Sequence, residues 1–265
     1  MKEEKKKSGG VPVAIIVGVL ILVVVGGFLF YRSSATPSPN VAKPANASPQ
    51  PQATISTQNA PPGATPPNAI GPTTASVIIE EFADFQCGSC GAAYPALRDI
   101  IKAYSGNPNF RFIYRNFPLQ MHDKAYDAAV AAEAAGLQNP AKFWLMEDQL
   151  FTNQASWSVN PNYRDVFVEY GQKIGLDVDK FKADMSGMQA KTRVDRDMSR
   201  GKAFAISSTP TVIVNNKIVP YAEVTLAGMK RIIDAEMQKS TSTQQAPPQQ
   251  VAPASSVANS NSGNK

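Results

Sequence analysis

Apolar positions along the chain fall into two blocks of different texture. The first, residues 11–31 (VPVAIIVGVLILVVVGGFLFY), is unbroken by any charged side chain. In a helix it would reach about 30 Å, the thickness of a bilayer's hydrocarbon core, and it predicts a single transmembrane helix. The second block, from about 76 to 240, is patterned. Residues 77–82 (VIIEEF) form a β-rich apolar run and predict a strand. From 88 to about 104, Ala92, Ala93, Ala96, Leu97, Ile100 and Ile101 recur at helical spacing before Gly106 and Pro108, with Pro95 inside predicting a kink. Residues 110–115 (FRFIYR) alternate as a second strand. A helical stretch follows. An Ala-rich helix over 124–135 stops at Gly136, and Asn139-Pro140 opens a helix to 151. Further helices are expected over 162–174, from Asp177 to about 185, and over 188–203. Strands at 211–214 and 217–219 flank a turn at Asn215-Asn216, and a helix over 224–237 closes the pattern. The order is βαβ, a helical insertion at about 119–190, then ββα.

Between the blocks, residues 32–75 are dominated by Pro, Ala, Ser, Asn, Thr and Gln and hold ten of the chain's 21 prolines. Such a segment buries too little apolar surface to offset its ordering entropy, so it is expected to be a disordered tether with ends about 35–40 Å apart or more. Residues 241–265 repeat that composition and are expected to be disordered too. Of the 265 residues, only about 165 are left to build a core, enough for one domain.

The formal net charge of +5 is uneven: Lys2, Lys5, Lys6 and Lys7 outweigh Glu3 and Glu4 within residues 1–10. Lysines before the apolar run and only Arg32 close after it place the N-terminus in the cytoplasm and residues 76–240 outside. A cleaved signal peptide ending at Ser33-Ser34-Ala35 is the competing reading, but the run exceeds the usual signal length. The rest of the chain has no dense basic stripe, which argues against a nucleic-acid partner.

Cys87 and Cys90 are the only cysteines and His122 the only histidine. That excludes a disulfide scaffold and a four-ligand zinc site, so no metal and no cofactor is expected. The cysteines are separated by two residues, directly after a strand and at a helix start, which is a redox context. A helix N-terminus offers unpaired N–H groups and positive potential that favour a thiolate at Cys87. Cys87 is the expected exposed nucleophile, and Cys90, facing the core, the resolving thiol. A purely structural disulfide would close too short a loop to stabilise much.

Phe85-Gln86-Cys87-Gly88-Ser89-Cys90 after one strand, and Ser208-Thr209-Pro210-Thr211 before another, resemble the thioredoxin-fold disulfide oxidoreductases of the DsbA type. Arg115-Asn116-Phe117-Pro118-Leu119, then His122 and the Ala-rich helix, resemble that family's entry into its insertion. The resemblance covers about 76–238 and implies an α/β thioredoxin-like fold. It implies that Pro210 is the cis-proline opposite the cysteines and that Thr209 offers its backbone to an extended substrate, beside Gly88 and Ser89. It implies that Glu81, six residues before Cys87, is a buried acid able to move a proton to or from Cys90. Strand alternation puts Glu80 and Glu81 on opposite faces, so only one is expected to be buried.

Two positions depart from the family. Gly88-Ser89 replaces the Pro-His of its strongest oxidants, so the Cys87 pKa is expected to be depressed but less extreme, and the disulfide less oxidising. Ile206-Ser207-Ser208 stands where relatives often carry a glycine. Trp144 and Trp157 are expected in the core or lid of the insertion, His122 in a structural role, and Asp84 either near the site or in a solvated loop.

The combined expectation is a single-pass membrane protein presenting a thiol–disulfide oxidoreductase outside the membrane. It would form disulfides in exported proteins and be reoxidised by a quinone-linked membrane thiol oxidase. The alternatives are a reductase or isomerase kept reduced by a membrane donor, and an anchored chaperone or binding module.

Overall fold

Strand β2 (Val77–Ala83) lies at the centre of the fold. The computed structural model describes residues 53–244. The predicted membrane span at 11–31, the basic tail at 1–10 and the tail beyond 244 lie outside the described residues. Among the described residues no helix is long and apolar enough to cross a membrane.

Five strands form one sheet in the order β1-β3-β2-β4-β5. They are β1 (Asn68–Ile70), β2, β3 (Phe110–Asn116), β4 (Thr211–Val214) and β5 (Lys217–Val219). β2 and β3 run parallel, joined through helix α1 (Gly88–Tyr104), and the other pairings are antiparallel. The β4–β5 turn is built by Asn215 and Asn216 at φ 45° and 66°, the left-handed region that asparagine tolerates. Asn215 also accepts from the Ile78 N–H at 2.9 Å.

The insertion comprises α2 (Ala125–Gln138), α3 (Pro140–Thr152), α4 (Gln154–Trp157), α5 (Tyr163–Lys173), α6 (Val178–Ser186) and α7 (Met188–Ala203). The expected caps are present: the Asn139 side chain accepts from Ala141 N–H, and Asp177 from Lys180 N–H. α2 runs past Gly136, where the sequence predicted its end. A Cβ there would approach Phe143 Cβ to 3.2 Å, so this glycine admits α3 rather than stopping α2. Alanines on α2 are buried throughout, which lets neighbouring helices come close. Trp157 is fully buried and donates from Nε1 to the Leu150 carbonyl at 2.7 Å; Trp144 packs at the edge of the same core. A 3₁₀ turn (Tyr221–Glu223) precedes α8 (Leu226–Gln244), so the closing helix passes the expected end at residue 237 and the 240 boundary.

The sequence assigned all of 32–75 to a disordered linker, and residues 53–75 correct that. Thr54 bridges Lys217, and the Ile55 N–H donates to the Asn216 carbonyl at 2.9 Å, extending the sheet past β5. Further on, β1 pairs antiparallel with β3. Between them, the Arg115 guanidinium donates to the Pro62 carbonyl at 3.0 Å, Arg200 to the Pro61 carbonyl at 2.9 Å, and Asp197 accepts from the Ala64 N–H at 2.8 Å. Gly63 has φ +80°, and a Cβ on it would stand 2.5 Å from Arg115 Nη1. The segment is held by its backbone against buried arginines, a contribution that composition, which counts side-chain burial, does not register.

Glu80 and Glu81 are both buried, at 6% and 4% exposure, against the expectation that only one would be. Alternation does separate them, but β2 lies between β3 and β4 and both faces of the sheet are covered, as is usual beside parallel strands.

Candidate active site

The chain leaves β2 through Asp84, Phe85 and Gln86 and enters α1 at Cys87, its N-cap residue. Asp84 is not a solvated loop residue: it is 1% exposed. Its carboxylate accepts from the Gln86 N–H at 2.7 Å, the Leu119 N–H at 2.8 Å and His122 Nδ1 at 2.6 Å. These contacts tie the approach to the cysteines to the segment after β3, His122 included. Gln86 adds a second tie, accepting from the Lys124 N–H at 2.8 Å and donating to Asp123 at 2.9 Å.

Cys87 and Cys90 are both free thiols. Cys90 is fully buried; Cys87, expected to be exposed, is only 8% exposed. Its sulfur lies 3.4 Å from the Thr209 carbonyl oxygen. The Thr209–Pro210 peptide is cis, as the resemblance implied, and both residues are buried. Gly88 and Ser89 are exposed beside them. The loop before Pro210 places Ala205 in the left-handed region at φ 55°.

The pKa of Cys87 is lowered to about 4, chiefly by the Cys90 thiol hydrogen bonding to its sulfur. Burial opposes this, while Thr209 and the backbone N–H groups of Cys90 and Ser89 assist. The direction is the one that the helix start predicts for Cys87. Cys90 moves the other way, because burial and its bond to Cys87 disfavour its thiolate. One sulfur is therefore poised as an anion and the other as a neutral thiol.

Glu80 and Glu81 differ as sharply. Glu80 meets Arg115 Nε at 2.6 Å and Arg200 Nε at 2.6 Å. Burial raises its pKa, but the two guanidiniums outweigh burial and hold it below the usual carboxylate range. Glu81 has no ion pair among the described residues, and burial raises its pKa to about 8.

Several site residues carry no sequence signal. Gln154, at the start of α4, donates to the Phe85 carbonyl at 2.7 Å and the Cys87 carbonyl at 2.9 Å. It reaches them because Gly91 lacks a Cβ, which would stand 2.5 Å from Gln154 Oε1. The Tyr221 hydroxyl donates to the Ser89 carbonyl at 3.3 Å. Both residues lie far along the chain from the cysteines, and only the tertiary fold brings them there. Among the described residues no cluster of His, Cys, Asp or Glu fits a metal ion.

A strand-to-helix Cys-x-x-Cys opposite a cis-proline, on a sheet with this order, coincides with a match of residues 64–235 to the family model described as thioredoxin. The chain belongs to the thioredoxin family. Solved structures with a similar fold include oxidised BdbD from Bacillus subtilis, 21% identical with TM-score 0.57, covering 71% of this chain and 97% of that one. Another is α-DsbA1 from Wolbachia pipientis, 17% identical with TM-score 0.57, covering 68% of this chain and 94% of that one. Among curated proteins, the Na(+)/H(+) antiporter NhaA 1 of Salinispora arenicola is 34% identical over 148 residues, 56% of this chain and 21% of that protein. The chain spans about a fifth of the length of the curated relatives it matches. The family match and these solved structures agree on a thioredoxin-like fold.

Proposed function

We propose that this protein is a membrane-anchored, extracytoplasmic protein thiol–disulfide oxidoreductase that forms disulfides in exported proteins. The carrying observation is the unequal pair of sulfurs, with Cys87 lowered to about 4 and Cys90 raised. In the oxidative half-cycle a substrate thiolate attacks Cys87 Sγ and Cys90 leaves. A second substrate thiolate then attacks the mixed disulfide and expels Cys87. A low-pKa thiol is the better leaving group, and an anion that is stable at neutral pH favours the reduced protein. Both effects favour donating the disulfide to substrate.

The Thr209 backbone beside cis-Pro210 would pair with an extended substrate segment, with Gly88 and Ser89 open next to it. The apolar run at 11–31, preceded by four lysines, supports an uncleaved anchor with the N-terminus in the cytoplasm. A quinone-linked membrane thiol oxidase is the proposed reoxidising partner.

Thiol trapping in intact cells tests the direction. Cys87 and Cys90 are expected to be found mostly as the disulfide, and Cys87→Ser is expected to abolish oxidation of a reduced test protein. A mostly dithiol pool overturns the oxidase reading in favour of a reductase or isomerase. Full activity of Cys87→Ser overturns the enzyme reading altogether.

A further inference from the structure

Gln154 joins the helical insertion to the backbone at the cysteines. Between β2 and α1 the chain turns, with the Cys87 N–H donating to the Asp84 carbonyl at 3.1 Å and the Gln86 N–H to the Asp84 carboxylate at 2.7 Å. Those bonds hold the donors of the turn. Its acceptors are held from the insertion. A glutamine amide carries two hydrogens, and Gln154 Nε2 stands 2.7 Å from the Phe85 carbonyl oxygen and 2.9 Å from that of Cys87. The Cys87 carbonyl also accepts the first bond of α1, from the Gly91 N–H at 3.1 Å. The oxygen that starts the helix is therefore the one the insertion holds.

The platform that carries the amide is packed on both flanks. Trp157, at the far end of α4, is fully buried and bonded to the Leu150 carbonyl, and Asn153 donates to the Gln149 carbonyl at 2.8 Å. Phe151 packs against Phe85 at 4.9 Å and Tyr94 at 4.8 Å between ring centroids. Gly91 completes the contact from the other side. A Cβ on it would stand 2.5 Å from Gln154 Oε1, 3.1 Å from Cδ and 3.3 Å from Nε2. The amide lies across the space that a side chain would fill on the first turn of α1. Glycine is a poorer helix former than alanine, and at this position it leaves room for the amide.

We propose that Gln154 and Gly91 form a lock through which the insertion positions Cys87, keeping its sulfur over the N–H groups at the start of α1 and beside the Thr209 carbonyl. The inference rests on the thiol–disulfide reading above and adds a positioning residue to that site; Gln154 acts through the Cys87 backbone, not on the sulfurs. Cys87 is the N-cap of α1, at φ −71° and ψ 120°. Its dihedrals are not helical, so helix hydrogen bonding restrains it less than the residues behind it. Gln154 supplies the further restraint. The sulfur's bonds to the Ser89 and Cys90 N–H groups weaken steeply as distance and angle depart from ideal, so a small swing of the N-cap residue changes how well the thiolate is held.

The test uses the full chain, reduced, in detergent micelles. Alkylation of Cys87 by iodoacetamide is followed against pH, and the Cys87–Cys90 pair is equilibrated with glutathione at pH 7. Gln154→Ala removes the amide, and Gly91→Ala pushes it off the carbonyls while favouring the helix. Each is expected to raise the alkylation inflection by about one pH unit and to shift the glutathione equilibrium about tenfold toward the disulfide, because a less stable thiolate disfavours the reduced form. The double variant is expected to match Gln154→Ala, since either change breaks the same contact. A residue that only fills space would move the urea midpoint and leave the alkylation inflection in place; that result in Gln154→Ala overturns the lock. A wild-type profile in Gly91→Ala overturns it too, as do summed shifts in the double variant. If Gln154→Ala fails to fold, Gly91→Ala still decides, because its Cβ meets the far end of a flexible side chain. A wild type that does not exchange with glutathione overturns the oxidoreductase reading instead, and the alkylation profiles still judge the lock.

Discussion

Cys87 and Cys90 are three positions apart and end at opposite extremes of thiol acidity. The helix start supplies backbone N–H groups to Cys87, and the buried Cys90 thiol supplies its own proton as a hydrogen bond. Two pH effects follow. Alkylation of Cys87 by iodoacetamide is expected to rise through an inflection near pH 4; an inflection near the ordinary thiol value of 9.0 would contradict this environment. The folded-state pKa lies below the unfolded one, so it stabilises the dithiol form increasingly as pH rises from about 4 toward 9. That stabilisation is lost as pH falls through about 4. Denaturation of the reduced and disulfide forms, compared at pH 7 and pH 4, is expected to show the reduced form losing ground at pH 4. Of these site residues, Cys87, Cys90, Glu81, Thr209 and Pro210 were legible in the sequence, because their chemistry is local or matches a family motif. Gln154 and Tyr221 were not, because each reaches the site only through packing between distant segments.

At the scale of elements, β2 decides most of the arrangement. It hands the chain to α1 at Cys87, and its neighbours Glu80 and Glu81 serve opposite faces. On one face Glu80, Arg115, Asp197 and Arg200 form a buried charge network. Removing one member leaves the others uncompensated, which for buried pairs costs about 3–5 kcal/mol. Arg115→Ala is therefore expected to destabilise the domain by roughly that amount in urea titrations. It is also expected to speed hydrogen exchange at Ala64, whose N–H is bound to Asp197. A loss under about 1 kcal/mol would mean the network relaxes around the gap. The arginines that hold Glu80 and the burial that isolates Glu81 are not visible in the strand's own alternation, which predicts faces but not what covers them.

For the whole molecule, the domain begins earlier than hydrophobic patterning suggested. Residues 53–75 close one edge of the sheet through β1 and extend the other through Thr54 and Ile55. A chain beginning at residue 76 is expected to unfold at lower denaturant than one beginning at 53, and to aggregate more readily, because it exposes both edges and leaves Arg115 and Arg200 without backbone acceptors. Equal midpoints for the two would show that the segment is bound without contributing to stability.

The order of strands from β2 onward, the helix caps at Asn139 and Asp177, the asparagine turn and the redox pair were all fixed locally, by periodicity, capping chemistry and spacing, so the sequence alone determined them. Tertiary structure decided which faces of the sheet are covered, where the arginines find acceptors, and how far Cys87 is shielded. Those outcomes depend on distant segments meeting, and burial, not residue type, then decides whether a carboxyl such as Glu81 is held as an acid or, like Glu80, as an ion.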